Sequence, residues 1–232
     1  MALKDKLELE KQWVSTTSYR RLLNHMRVKH DIGQTKLGRR KLRLFACGAC
    51  RLMLWDDPVP ERFKKMVDAA EAFADDRISK HALARRGSEK GEWPKPMYGH
   101  LWLAATAMRA TTEISSVKAA NRTAYDLLQS LEKPRGRGGK GRLCRVVREV
   151  FGNPFHVTVI EDSLLSWRDA TIPQIAAKIY EERRFGDLPI LADALEEAGC
   201  ADAEILSHCR EPGEHVLGCW VVDLLLGKDY RK

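Results

Sequence analysis

The sequence predicts a mainly α-helical fold, a multi-helix globular domain of about eight to ten helices. Apolar residues recur at three- and four-residue spacing along most of the 232 positions, which places them on one face of a helix. Helix punctuation brackets those stretches, with Ser, Thr or Asp before them and Gly or Pro after. A hydrophobic content of 44% against 31% charged residues is an ordinary composition for a chain that builds a core.

Taken in order, Leu7 to Val28 reads as one or two helices anchored by Trp13 and Tyr19, with Ser15, Thr16, Thr17 and Ser18 able to cap the second. Lys36 to Trp55 is strongly amphipathic, with Leu42, Phe45, Ala46, Ala49, Leu52 and Met53 at helical spacing, and Asp56-Asp57-Pro58 ends it. Glu61 to Ala74 is the next helix, turning Phe63, Met66, Val67, Ala70 and Phe73 inward. Residues 75–97 are polar and hold Gly87, Gly91, Pro94 and Pro96, which predicts a loop with one helical turn near Ile78–Leu83. Tyr98 to Leu131 carries a long helical pattern with a break near Thr111-Thr112.

Lys133 to Arg142, KPRGRGGKGR, has four glycines and a proline in ten residues and predicts a loop. It divides the chain into a basic N-terminal helical lobe, 1–132, and an acidic C-terminal helical lobe, 143–232. Leu143 to Phe151 then reads as a short helix, His156 to Ile160 as an extended segment or short strand, and Thr171 opens a helix with Gln174 at capping-box spacing. Asp187 caps a helix whose second position is Pro189, and Leu188, Ile190, Leu191, Ala194, Leu195 and Ala198 form its apolar face up to Gly199. Asp202 caps a shorter helix through Cys209, and Glu211-Pro212-Gly213 turns the chain. His215 to Leu226 is nearly all apolar and reads as a buried helix, with a strand through Cys219–Leu226 the alternative. The expected core joins Leu191, Leu195, Trp220, Val221, Leu224 and Leu225, with Leu42 or Phe45 reaching them.

LPILADALEEAGC at 188–200, then HCR, a Pro-Gly turn, His215 and GCWVVDLLLGK, resembles the C-terminal signature of a large family of uncharacterised bacterial proteins expanded in planctomycetes. GNPF at 152–155 and KLRLFACGAC at 41–50 match other blocks of that family. The resemblance implies architecture and no particular activity. Glu211, Glu214 and Leu217 stand where the family pattern has Gly, Pro and Arg, and the middle of the chain lacks the family's Ala- and Trp-rich tract.

No run approaches the ~18–20 apolar residues of a membrane span, and the charged start MALKDKLELEKQW has no apolar core of a secretory signal. Six cysteines without such a signal predict reduced thiols and a cytoplasmic location. Nucleotide-loop, dinucleotide-binding, HExxH and GxSxG patterns are absent. Adjacent carboxylates such as Glu181-Glu182 and Glu196-Glu197 point apart on helices and read as solvent faces.

The net charge of +8 is unevenly placed. Residues 1–51 carry 13 Lys/Arg against 4 Asp/Glu, 133–148 carry 7 against none, and 149–232 carry 8 against 16. Arg39, Arg40, Lys41 and Arg43 at one helix start, with Arg135, Arg137, Lys140, Arg142, Arg145 and Arg148 after the break, make a candidate surface for a nucleic-acid backbone, DNA or RNA. The alternatives are a solvated connector, or pairing with the acidic half of the same chain.

Two thiol constellations stand beside it. Cys47-x2-Cys50 and His215-x3-Cys219 each place two soft ligands on one helical face, and together they would make a Cys3His zinc site, with His208 and Cys209 in reserve. Ordinary buried thiols are the plainer expectation. Cys209 with His208 or His215 and an acid such as Asp223 has the residue types of a nucleophilic site, without a recognisable nucleophile signature. Arg20-x4-His25, a spacing seen in some helical ribonucleases, reads as a solvated basic face. The functional expectation is therefore a non-enzymatic binding module contacting nucleic acid through 36–43 and 133–148. A protein–protein adaptor using the acidic lobe comes next, and a Cys/His-dependent enzyme third.

Overall fold

The computed structural model describes residues 3–91, 93, 99–131, 138–156 and 158–229. Among them are twelve α-helices and no strand, so the fold is a multi-helix, all-α one. No described helix is long and apolar enough to cross a membrane.

The N-terminal pattern resolves into α1 (Leu3–Ser15) and α2 (Tyr19–Lys29). The long amphipathic stretch is α3 (Lys36–Leu54), started by the Thr35 hydroxyl, which accepts from Gly38 N at 3.0 Å. It is the central helix, buried along most of its length, and it packs against α4 (Glu61–Ala74) and α7 (Ser116–Leu131). Where a loop with a single turn was expected, Ser79 caps a full short helix, α5 (Lys80–Gly87), by accepting from Ala82 N. The break at Thr111-Thr112 separates α6 (Gly99–Ala110) from α7. There both hydroxyls bond back to carbonyls three residues earlier, at Met108 and Arg109.

The glycine-rich stretch behaves differently from the expectation. Residues 133–137 lie outside the described residues, but α8 (Gly139–Phe151) already includes Lys140, Gly141 and Arg142. Three features offset the glycine penalty. Gly138 supplies a left-handed entry at φ 102°, Gly139 packs close to Leu128 and Leu131, and the helix buries a continuous apolar face from Leu143 to Phe151. That face belongs to the first hydrophobic core, which runs from Trp13 to Phe155 and takes in Val216. The second core starts at Leu164 and runs to Leu225, with Leu44 of α3 as its one member from earlier in the chain. The division of the core therefore falls after α8, not at 133–142.

Residues 156 and 158–160 form no strand. The helix expected at Thr171 is the second half of α9 (Asp162–Glu182), which kinks where Arg168, Asp169 and Ala170 take positive φ. A 3-10 turn, Phe185–Asp187, leads to α10 (Leu188–Glu197), and Asp187 makes no side-chain cap there. Asp202 does cap α11 (Ala203–Arg210), accepting from Glu204 N and Ile205 N. Only half of the apolar C-terminal run from His215 to Leu226 is helix: residues 211–219 are irregular, and α12 (Trp220–Leu225) follows. Gly218, at φ 92° against the Leu44 side chain, turns the chain just before it. The expected core forms around Leu191, Leu195, Trp220 and Val221, with Leu224 only partly buried. Leu44 rather than Leu42 or Phe45 reaches it from α3.

Candidate metal centre

Four side chains from three parts of the chain converge at the seam of the two cores. Glu149 comes from the last turn of α8, on the same buried face as Val146 and Val150. His208 stands near the end of α11. His215 sits in the irregular 211–219 segment, and Cys219 precedes α12 as its N-terminal flank. The turn at Glu211-Pro212-Gly213 brings His215 back beside His208, with ring centroids 5.1 Å apart and nearly perpendicular.

One ligand atom from each of the four lies within 4.8 Å of all the others. His208 Nε2 is 3.2 Å from Cys219 Sγ and 3.4 Å from Glu149 Oε2, and His215 Nδ1 is 3.1 Å from Glu149 Oε1. A tetrahedron with Zn–N near 2.0 Å and Zn–S near 2.3 Å has edges of about 3.3–3.5 Å. The group has the donor types and the spacing to hold a metal ion. Glu149 and Cys219 are buried, while the two imidazoles are only partly covered and line a cleft of about 540 Å³ together with Arg145 and Trp220.

Electrostatics ties the four together even without an ion. Burial works against the Glu149 carboxylate, yet the His215 hydrogen bond and the nearby His208 hold it below the usual carboxylate range. His215 is raised in turn, because Glu149 outweighs the burial that would lower it. His208 is lowered, burial and His215 prevailing over Glu149. Burial and the neighbouring Glu149 push the Cys219 thiol well up. An ion would have to replace that thiol's proton, the usual coupling of metal binding to deprotonation.

Half of the expected Cys3His set is here, and half is not. Cys47 and Cys50 are fully buried in the first core, where burial pushes both thiols up, and the Cys47 sulfur faces the Val67 carbonyl at 3.9 Å. Their helical spacing reflects packing of α3 rather than ligation. His208 replaces one of them and Glu149 the other. Glu149 had a signal in the sequence, a lone carboxylate on the apolar face of REVF, but it has no His or Cys beside it to suggest a ligand. The nucleophile reading also fails to assemble. Burial pushes Cys209 up to about 12, His208 turns to Cys219 instead, and Asp223 is paired with Arg40 and Lys41.

The basic segments are largely internal. Arg40 is 7% exposed, Lys41 0% and Arg43 1%, so none of the three can meet a polyanion. Arg40 bonds Asp75, Tyr180 and Asp223; Lys41 bonds Asp223 and the Val150 and Gly218 carbonyls; Arg43 donates to the Thr111 and Ile114 carbonyls. Arg142 donates to Leu52 O and Glu214, and Arg148 to the Trp13 and Thr16 carbonyls. Arg39, Lys140 and Arg145 are exposed, and Arg135 and Arg137 lie outside the described residues. Arg20 and His25, five residues apart on α2, face different ways: Arg20 to solvent and His25 against Trp13 and Phe155.

No protein-family model matches the chain, and neither a curated protein nor a solved structure matches it. The reading of the site therefore rests on its own geometry.

Proposed function

We propose that this is a zinc-binding protein in which Glu149, His208, His215 and Cys219 hold one ion between α8 and the C-terminal segment. The observation that carries the reading is the convergence of four donor atoms, all within 4.8 Å, from three separate stretches of chain. A thiolate with two imidazoles suits zinc better than a hard, oxygen-seeking cation, and four protein donors around one ion make a closed site that cross-links structure. The two cores meet along this seam, and the ion would tie the Glu149 side of it to the irregular 211–219 segment, which few backbone hydrogen bonds hold in place.

Elemental analysis of the purified protein tests this, with cobalt substitution to read the geometry. One equivalent of zinc is expected, together with intense visible bands and a thiolate-to-cobalt charge-transfer band for the cobalt form. Cys219→Ser should remove the charge-transfer band, and His208→Ala with His215→Ala should abolish retention. Less than a tenth of an equivalent after reconstitution in excess zinc, or a cobalt spectrum unaffected by Cys219→Ser, would sink the proposal.

A further inference from the structure

The helix α2, YRRLLNHMRVK, carries four Arg/Lys and no acid. Its buried face is Tyr19, Leu22, Leu23 and Met26, which leaves Arg20, Asn24 and Arg27 in a row at helical spacing on the outside. The helix α7 buries Ala119, Ala120, Thr123, Ala124 and Leu127 and leaves Lys118, Asn121, Arg122 and Tyr125 in a matching row. The two rows run antiparallel. At one end Gly33, just past α2, approaches Val117 at the start of α7; at the other, Arg20 lies within electrostatic reach of Tyr125.

Between them is an open hollow of about 480 Å³, and a second of about 570 Å³ lies along α7 itself; the two share Asn121. The first is lined by Arg20, Asn24 and Arg27; the second by Lys118, Arg122 and Tyr125, with Glu113 and Asp126 as its only acids. Asp126 is 8% exposed and lies beneath Arg122, 3.6 Å from its Nε. The side chains of Arg27 and Lys118 make no hydrogen bond or ion pair among the described residues. Tyr125, 51% exposed, is the largest aromatic surface left open along the groove.

From this juxtaposition we infer that the α2–α7 groove binds the backbone of a single-stranded nucleic acid. Exposed cations, with Arg27 and Lys118 left without a side-chain partner, neutralise phosphates and release counterions; amides of Asn24 and Asn121 serve phosphate and sugar oxygens, and Tyr125 offers a stacking face for one base. The row from Arg20 to Arg27 is roughly 10 Å long at the helical rise, a few nucleotides of strand. An acidic peptide would use the cations and leave the aromatic face idle. An anionic membrane would want an apolar wedge, which the groove floor does not offer. This surface is separate from the metal centre, and among the described residues it is lined by none of the cations of 36–43 and 138–148.

Anisotropy of a fluorescein-labelled U12 RNA, titrated with the full chain at 25–200 mM KCl, tests the inference. Affinity should fall with salt, and Arg27→Glu with Lys118→Glu should weaken binding at least tenfold and flatten the log–log salt slope by about 1.4, at ~0.7 per cation for a single strand. Tyr125→Ala should weaken binding about fivefold or more with the slope unchanged. Arg145→Glu, in the other cleft, should change affinity less than twofold. No anisotropy change at 25 mM KCl overturns the inference. So does equal weakening by Arg145→Glu, retention of affinity in the double variant, or equal competition by poly-glutamate or phosphatidylserine vesicles.

Discussion

Lys41 Nζ and Asp223 Oδ2 stand 2.7 Å apart, and both side chains are 0% exposed. Arg40 reaches the same carboxylate from the preceding residue of α3, at 2.6 Å, so two cations from the central helix converge on one acid of α12. Lys41 is satisfied further by the Val150 and Gly218 carbonyls, and Arg40 by Asp75 and Tyr180. The network joins α3, α9 and α12 and so links the two cores by charge as well as by packing. It also explains why KLRLF at 41–45 contributes nothing to the surface.

Removing the acid alone should be costly. Asp223→Ala leaves two buried cations without their shared partner, and breaking a buried pair from one side costs about 3–5 kcal/mol. Urea unfolding should show that loss. The pH dependence has a definite sign. Burial opposes ionisation of Asp223, but Lys41 and Arg40 hold it below its usual value, so the folded chain binds this proton more weakly than the unfolded chain. Its contribution is present above the ordinary carboxylate value of about 4 and is lost as pH falls through the depressed folded value. The wild type should lose more stability than Asp223→Asn between pH 5 and pH 3. Equal losses would show that the network contributes nothing to acid stability.

Chelation should destabilise the protein through the same C-terminal segment. An ion bound only by the folded state adds about 2.7 kcal/mol when free metal is a hundred times its Kd. For a chain of this length that corresponds to a thermal midpoint change of roughly 5–10 °C. Differential scanning fluorimetry with and without a strong chelator should show the shift in the wild type and none in His208→Ala with His215→Ala. A chelator that leaves the wild-type midpoint in place would separate the ion from stability altogether.

The helices were readable because their signal is local. Apolar spacing in α3 and α4, the Asp202 cap and the Thr111-Thr112 break all act within a few residues, and the structure places them as expected. What failed was non-local. Lys41 and Arg43 look solvent-bound on charge alone, and only the distant Asp223 and the Thr111 carbonyl make their burial tolerable. The apolar run from Val216 to Cys219 looked helical. It is instead bent by Gly218, as α3 and the second core require. The metal group was half legible for the same reason. His215 and Cys219 are sequence neighbours, whereas Glu149 joins them from 66 positions away.

Trp220 should prove a structural anchor. It is 3% exposed, its ring lies over Gly152, and its centroid is 5.3 Å from that of His208. A Cβ at Gly152 would come within 3.0 Å of the indole, and the φ of 66° there already disfavours any side chain. Trp220→Ala should cost about 3–5 kcal/mol in urea unfolding. It should also loosen the His208 ring, raising the zinc Kd at least tenfold. A variant of near-wild-type stability would instead mark Trp220 as dispensable to the core.

Gly48 supplies a sharper test of how the two halves are coupled. It lies mid-way along α3, where replacing Gly by Ala ordinarily stabilises a helix by up to about 1 kcal/mol. Here a Cβ would meet Val216 Cγ2 at 2.8 Å, Cβ at 3.1 Å and Cγ1 at 3.2 Å. All three are atoms of a stiff, β-branched side chain that is 3% exposed and cannot swing away. Overpacking of that kind costs about 1–3 kcal/mol, which outweighs the propensity gain, so Gly48→Ala should destabilise. Val216 adjoins His215, and the strain should reach the metal centre as a weakened zinc affinity. Val216→Ala removes the offending methyls, so the double variant should recover more stability than the two single changes predict, with a positive coupling of about 1 kcal/mol or more in the cycle. If Gly48→Ala proves neutral or stabilising, or if the two changes are simply additive, the 211–219 segment does not bear on α3 as the structure shows.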